Sequence, residues 1–262
     1  MSKNKEIHEI IQKITKSPSN TLIIFYSHAK VINSEVSDLT PMLTTILVRS
    51  LDKKTYEEFS IYKEADKFKE IDRNTINENY TDLEHAILGN FNNFLKHHKN
   101  FIWIHWNMNN SQFGFEAIKH RFMKMVEGTS EQFEEIPTNN KIDLNYLIEQ
   151  AYGKNYTRDV DKFKSLAKYN KFLHLDRILD LEDEMIEFNN KNFEAVVYSL
   201  EQKIDIVVEI IDKMKVENLK VPQKGWYVKS YDLVTHPGFG ISGFLIGILG
   251  IVLSIVFFFL SK

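Results

Sequence analysis

The sequence predicts an α/β fold, a doubly wound parallel sheet of about four strands with a C-terminal helical extension and one transmembrane helix. Three observations support it. Short apolar runs alternate with helical patterns in the first half of the chain, only helical patterns follow, and an uncharged apolar segment lies near the C-terminus. Strands that alternate with helices typically form a parallel sheet covered by helices on both faces.

Short runs rich in β-branched and aromatic residues, bounded by polar residues, predict the strands. They are residues 21–26, 56–62 and 101–106, with residues 132–136 as a candidate fourth. Apolar residues at helical spacing predict helices between these strands. Those helices are residues 41–51, 81–97 and 113–126. Buried parallel strands are apolar along their whole length, as residues 101–104 are.

The second half of the chain shows only helical patterns, at residues 144–152, 159–173 and about 180–216. The last helix carries a stripe with alternating spacings of four and three, formed by Phe193, Val197, Leu200, Ile204, Val207, Ile211 and Met214. Such a stripe fits either a coiled-coil seam or a core-facing surface. Val196, Val208 and Ile210 widen the apolar face, which favours packing on the α/β domain.

Residues 241–260 contain no charged residue, and their polar side chains are Ser242 and Ser254. Twenty helical residues span about 30 Å, the thickness of a bilayer core. Upstream lysines and aromatic residues are typical of a lipid headgroup region and favour a cytoplasmic soluble part. The sequence therefore predicts a single-pass protein of the cell membrane, with its lipid bilayer anchor at the C-terminus.

Small residues form one stripe on the predicted membrane helix. They are Gly240, Gly243, Gly247, Gly250 and Ser254. Close backbone approach along small residues is a main way in which helices associate in lipid, so we expect a homo-oligomer. Gly238, Gly240 and Gly243 also match the G-x-G-x-x-G pattern, but His236 and Pro237 precede it where a dinucleotide fingerprint requires a strand.

Composition excludes several classes of protein. The net charge of −3 gives no basic excess for sequence-specific nucleic-acid binding, and the absence of cysteine excludes a disulfide framework or thiolate chemistry. The first sixteen residues contain no apolar core of a signal peptide. We divide the chain into an α/β domain (1–143), a helical extension (144–218), a juxtamembrane segment (219–240) and the membrane helix (241–260).

Polar residues follow the predicted strands, where ligands bind in α/β sheets. The candidate ligand-binding residues are Ser27, His28, His105, Trp106, Asn107, Asn109 and Arg121. Trp106 offers a stacking face, the amides offer donors and Arg121 offers a cation, a set that suits a nucleotide. The alternative is that His105 and Trp106 are ordinary core residues.

Sequence motifs for catalysis are weaker than the features that suggest ligand binding. The chain has neither G-x-S-x-G nor H-E-x-x-H, so the sequence predicts no metal, no cofactor and no assignable catalytic residue. Glu64 or Glu116 near a stacking aromatic residue would suit cleavage of an N-glycosidic bond. Whether the domain is an enzyme stays open.

Two resemblances concern these residues. The run LIIFYSHAK resembles the opening of TIR domains, which implies NAD cleavage. The stretch IHWNMNNSQFGFEAIKHRF, with LNYLIEQAYGKNY further on, is similar to an uncharacterised prokaryotic group with an HWNM, FGF and HRF pattern. An α/β domain joined to a terminal membrane helix resembles effectors of prokaryotic antiviral defence, which implies membrane damage on activation.

These observations lead to three functional hypotheses. The first is a membrane-anchored defence effector that binds a nucleotide signal or a partner protein and oligomerises to disrupt the membrane. The second is a membrane-tethered hydrolase of NAD or nucleotide N-glycosidic bonds. The third is a tail-anchored scaffold.

Overall fold

The computed structural model describes residues 3–29, 42–68, 71–108, 114–173 and 175–224. The strands are β1 (Thr21–Ala29), β2 (Met42–Ser50), β3 (Tyr56–Ser60), β4 (Ile102–His105) and β5 (Lys141–Asp143). The helices are α1 (Lys3–Lys16), α2 (Ile61–Lys67), α3 (Tyr80–His98), α4 (Phe115–Met125), α5 (Leu144–Tyr152), α6 (Lys162–Tyr169), α7 (Leu181–Asn189) and α8 (Phe193–Lys215). The chain is an α/β protein.

The five strands form one mixed sheet in the order β3-β2-β1-β4-β5. β1 and β4 are parallel, as are β4 and β5, whereas β2 runs antiparallel to both β1 and β3. The prediction of a wholly parallel sheet of four strands was therefore wrong, although the prediction of the α/β class is confirmed.

The error lies in β2, since residues 41–51 were predicted as a helix. The run MLTTILVRS is buried almost throughout, and its residues Thr44, Thr45, Ile46 and Val48 are β-branched. Such residues fit a pleated surface better than a helix. A short apolar run has no clear period, so pairing with β1 over eight residue positions decides its structure.

Other boundaries also differ from the prediction. Residues 132–136 form no strand, and β5 lies a few residues later. The predicted helix at residues 180–216 is two helices, which are separated at residues 190–192, where Lys191 has φ of 63°. A lysine in this left-handed region interrupts a helix. α5 matches its predicted bounds.

Helices cover both faces of the sheet. On one face, α2, α3 and α4 pack against Leu22, Ile24 and Trp103. On the other face, α1, α5, α6 and most of α8 pack against Ile23 and Ile104. The apolar stripe of α8 from Leu200 to Met214 lies in this second core.

A buried ion pair joins α3, α4 and β2. Glu84 is fully buried and accepts hydrogen bonds from Arg121 Nε at 3.0 Å and from Leu43 N at 2.8 Å. Arg121 Nη2 also donates to the second Glu84 oxygen. One turn earlier, Tyr80 Oη donates to Leu43 O at 2.8 Å. β3 pairs only with Thr45 and later residues of β2, so α3 satisfies the Leu43 backbone where that ladder ends.

None of the helices in the described ranges is long and apolar enough to cross a membrane. Residues 241–260 lie outside the described residues, as do Gly240, Gly243, Gly247, Gly250 and Ser254.

Arg121→Met should lower the free energy of unfolding by about 3–5 kcal/mol, because it leaves the Glu84 charge buried without a partner. Glu84→Gln combined with Arg121→Met removes both charges and keeps an acceptor for Leu43 N, so it should recover most of this loss. Urea unfolding of the detergent-solubilised chain measures both variants.

The control is Arg73→Met, since the Arg73–Glu194 ion pair is largely exposed and should contribute little to the free energy of unfolding. A double variant as unstable as Arg121→Met would show that the buried charge is not the cause.

Candidate functional site

The carboxyl ends of β1 and β4 lie at the same edge of the sheet because the two strands are adjacent and parallel. β2 begins at this edge because it is antiparallel to β1. Ser27 pairs with Thr45, and His28 with Leu43, so Thr44 is an extra residue in β2 and forms a β-bulge. This edge, with Tyr26, Ser27, His28, Thr44 and His105, is named the strand-end site.

Aromatic rings form the centre of the strand-end site. The Tyr26 ring stacks on the His105 ring, with centroids 5.2 Å apart and planes at 14°. His28 meets the Tyr26 ring edge-on at 5.1 Å. Phe115 of α4 lies 6.3 Å from His105. Tyr26 and His28 therefore lie on the α3 and α4 side of the sheet. Ser27, which lies between them, faces the other side because side chains alternate along a strand.

Several buried polar atoms in the site have no hydrogen-bond partner in the described part of the chain. They are Tyr26 Oη, Ser27 Oγ, Thr44 Oγ1 and His105 Nδ1. Ser27 and Thr44 are completely buried, and His105 is 5% exposed. Most buried polar side-chain atoms in proteins are paired, because an unpaired one costs about 1–3 kcal/mol. These atoms therefore require partners that the described part of the chain does not supply.

Both histidines of the site are neutral at pH 7. Burial lowers the pKa of His28 to about 4, and the positive charges of Arg121 and Lys203 add to this shift. Burial and the nearby His28 lower the pKa of His105 to about 3. Burial also raises the pKa of Tyr26, which stays a neutral phenol. Each neutral imidazole offers one donor and one acceptor.

The two cations near His28 are each paired with a buried carboxylate. Arg121 is bound by Glu84, as described above. Lys203 Nζ of α8 lies 2.5 Å from Glu184 Oε1 of α7, and Ser199 Oγ donates to the same oxygen at 3.3 Å. Arg121, which the sequence suggested for a phosphate, therefore serves an internal ion pair. The two positive and two negative charges of these four groups therefore cancel near the site.

The other predicted residues lie apart from the ring cluster. Trp106 packs edge-on against Phe163 of α6 at 4.9 Å and is only 9% exposed, so its face is not open for stacking. Asn107, with φ of 59°, accepts a hydrogen bond from Asn145 of α5 at 2.8 Å. Asn145 in turn accepts one from the Tyr156 hydroxyl at 2.7 Å. These contacts fasten the end of β4 to the second helical face, and Asn109 lies outside the described residues.

The two carboxylates considered for glycosidic cleavage are not in the site. Glu64 Oε1 is bound by Lys67 at 2.6 Å and by Asn90 at 2.8 Å. The Glu116 side chain is 70% exposed at the start of α4. Within the described ranges, no group of three or more histidine or acidic residues has an arrangement that could hold a metal ion.

A surface cavity of about 540 Å³ lies elsewhere, between the β2–β3 turn and α8. Its lining includes Leu51, Lys53, Asp205, Glu209 and Asp212. Leu51 follows β2, seven residues after Thr44, so the cavity lies roughly 23 Å along the strand from the strand-end site. Asp205 is already bound by Arg49 at 2.7 Å. The unpaired buried atoms, rather than this open cavity, mark the candidate site.

Sequence reasoning missed Thr44, Glu84, Glu184 and Lys203. Glu84 left a signal, because it lies among Leu83, Ile87 and Leu88 on the apolar side of α3. A charged residue on the buried side of a helix requires a partner. That partner, Arg121, is 37 residues away and could be identified only in the folded structure.

The free energy of unfolding should fall as the pH falls from 6.5 towards 4. Over this range the unfolded chain protonates His28 and His105, whereas the folded chain keeps them neutral until its lower pKa values are reached. Each histidine contributes up to about 1.4 kcal/mol per pH unit. His105→Gln should remove about half of this slope, as measured by urea unfolding between pH 6.5 and 5.

His8→Gln is the matched control, since His8 lies on the exposed side of α1. An unchanged slope in His105→Gln would mean that His105 is not buried as a neutral group.

Comparison of the chain with protein-family models, with curated proteins and with solved structures gives no match.

Proposed function

We propose that the chain is a membrane-anchored effector of prokaryotic defence. Its α/β domain binds a nucleotide signal at the strand-end site, and residues 241–260 hold it in the bilayer and bring copies together. Clustering of the membrane helices then perturbs the membrane, since one helix alone cannot form a pore.

The proposal that the domain binds a ligand rests on the unpaired buried atoms of the strand-end site. Tyr26 Oη, Thr44 Oγ1 and His105 Nδ1 belong to three adjacent strands and have no partner in the described residues. A fold that needed these positions only for packing would be more stable with apolar side chains there. A polar ligand at this edge would supply the missing hydrogen bonds.

Because its groups are neutral or internally paired, the strand-end site should bind an uncharged polar part of that ligand. The imidazoles of His28 and His105 are neutral, and Arg121 and Lys203 are paired with Glu84 and Glu184. Neutral donors and acceptors suit the edge of a nucleobase or the hydroxyls of a ribose. The phosphates of a nucleotide would then lie outside this buried cluster.

The sequence supports the membrane part. Residues 241–260 are long enough to span a bilayer core and carry no charge. The stripe from Gly240 through Gly243, Gly247 and Gly250 to Ser254 allows close helix approach.

A membrane-tethered NAD or nucleotide hydrolase has less support. Such an enzyme requires a carboxylate beside the reacting sugar. Glu64 and Glu84 are each bound by a cation, and Glu116 is exposed at the start of α4.

His105→Phe should raise the free energy of unfolding by about 1 kcal/mol, because it removes an unpaired polar atom from the core and keeps a ring against Tyr26. The same variant should lose any thermal stabilisation by mononucleotides, cyclic dinucleotides or NAD. Thermal unfolding of the detergent-solubilised chain, with and without each compound, measures both effects.

His98→Phe is the matched control. The His98 ring stacks on Phe94, and its Nδ1 is hydrogen-bonded to Phe94 O at 2.8 Å, so the substitution should not stabilise the fold and should leave any ligand response intact. If no compound stabilises the wild-type chain, or if His105→Phe responds as strongly as wild type, the strand-end site is not the binding site.

Gly243→Leu combined with Gly247→Leu should abolish toxicity on expression in bacteria while the chain stays in the membrane fraction. Bulky side chains at these positions prevent close approach of the helix backbones. Growth and membrane potential measure toxicity, and membrane fractionation measures attachment.

Ile248→Leu with Val252→Leu is the control, because both positions lie off the small-residue stripe. Undiminished toxicity of the glycine variant would overturn the role of helix clustering.

A further inference from the structure

We infer that the domain has a second membrane contact, a basic surface that docks on anionic lipid headgroups. This inference rests on the proposed membrane anchor. The surface lies at the joined ends of α6 and α8 and is named the basic end surface. Its residues are Lys168, Tyr169, Lys171, Leu173, Lys213 and Lys220.

Hydrogen bonds and a cation–ring contact make this surface continuous. Asn170 Nδ2 donates to Lys220 O at 2.7 Å, and Asn170 Oδ1 accepts from Lys220 N at 3.0 Å. These two bonds fix the segment after α8 against the end of α6. Lys213 Nζ lies 5.7 Å from the centre of the Phe172 ring, which places the last turn of α8 beside the same helix end.

The composition of the surface suits a headgroup region. Tyr169 is 49% exposed and Leu173 is 70% exposed, although both are large and mainly apolar. Leu173 also lines the surface cavity with Asp205, Glu209 and Asp212, so carboxylates adjoin the basic end surface on that side. Lys168, Lys171 and Lys220 are exposed and form no salt bridge with any carboxylate of the described chain. Lysines elsewhere are often neutralised, as Lys63 is by Glu58 and Lys203 by Glu184. Unpaired lysines beside exposed aromatic and aliphatic side chains bind anionic interfaces.

The path of the chain identifies the membrane as the occupant. Leu219 and Val221 are buried in the second core, and Gln223 N donates to Tyr156 O at 2.9 Å, so residues 219–223 are held on the domain. Sixteen residues, 225–240, separate Lys224 from the predicted membrane helix. Even fully extended, they span at most about 58 Å, so the domain stays within reach of the lipid surface. Lys220 of the basic end surface lies four residues before Lys224, where this tether begins.

The absence of cysteine makes a site-specific test possible, because one introduced cysteine accepts a single fluorophore. Tyr169→Cys carries the probe on the basic end surface. Met123→Cys on α4, which is 40% exposed, carries it on the opposite helical layer as the control. The full chain is reconstituted into vesicles of phosphatidylcholine, alone or with phosphatidylserine, and spin-labelled headgroups serve as quenchers.

We expect strong quenching at position 169 in vesicles with phosphatidylserine, and at least a twofold weaker effect in phosphatidylcholine alone or at high salt. Position 123 should be quenched in neither. Lys168→Gln with Lys171→Gln should reduce the quenching at position 169, whereas Lys5→Gln with Lys96→Gln, which removes the same charge from other exposed positions, should not.

Flotation of the vesicles separates the two proposals. Chains that float without lipid-dependent quenching at position 169 would overturn the basic end surface and leave the anchor in place. Equal quenching in both kinds of vesicle would also overturn it. Chains that do not float with either kind would overturn the anchor, and this inference with it.

Discussion

The buried carboxylate of Glu84 is the constraint on which the strand-end site depends. It binds Arg121 of α4 and the backbone of Leu43 in β2, so one group holds two helices and one strand together. A buried charge tolerates little displacement from its partners, because the low local dielectric makes an unpaired charge very costly. The position of β2 relative to α3 therefore follows from polar contacts, and the bulge at Thr44 lies one residue beyond them.

This pairing also determines the electrostatics of the site. Glu84 neutralises Arg121, and Glu184 neutralises Lys203, so the residual effect of the cations on His28 is to help keep it unprotonated. α8 carries Lys203 beside the site and Lys213 at the basic end surface, ten residues or about 15 Å along one helix. The proposed ligand site and the proposed membrane contact are thus built on one rigid element.

Much of the fold was predictable from periodicity. α3, α4 and α5, and strands β1 and β4, lie where the apolar spacing indicated, because each presents a full buried side to the core. β2 was not predictable in this way, because its run is short, buried on both faces and stabilised by pairing with β1. The break between α7 and α8 did leave a signal, since the polar run from Asn189 to Asn192 suits a turn better than a helix.

By itself, the sequence determined the α/β class, the uncharged segment at residues 241–260 and the presence of His28 and His105 at strand ends. Local spacing and composition are sufficient for these features, because the period and the polarity of a short stretch of residues indicate a strand, a helix or an apolar span. Only the tertiary structure decided that Trp106 is covered by Phe163 and that Arg121 belongs to Glu84. It alone showed that Tyr26 Oη, Thr44 Oγ1 and His105 Nδ1 have no hydrogen-bond partner among the described residues, because such pairing depends on contacts between distant parts of the chain.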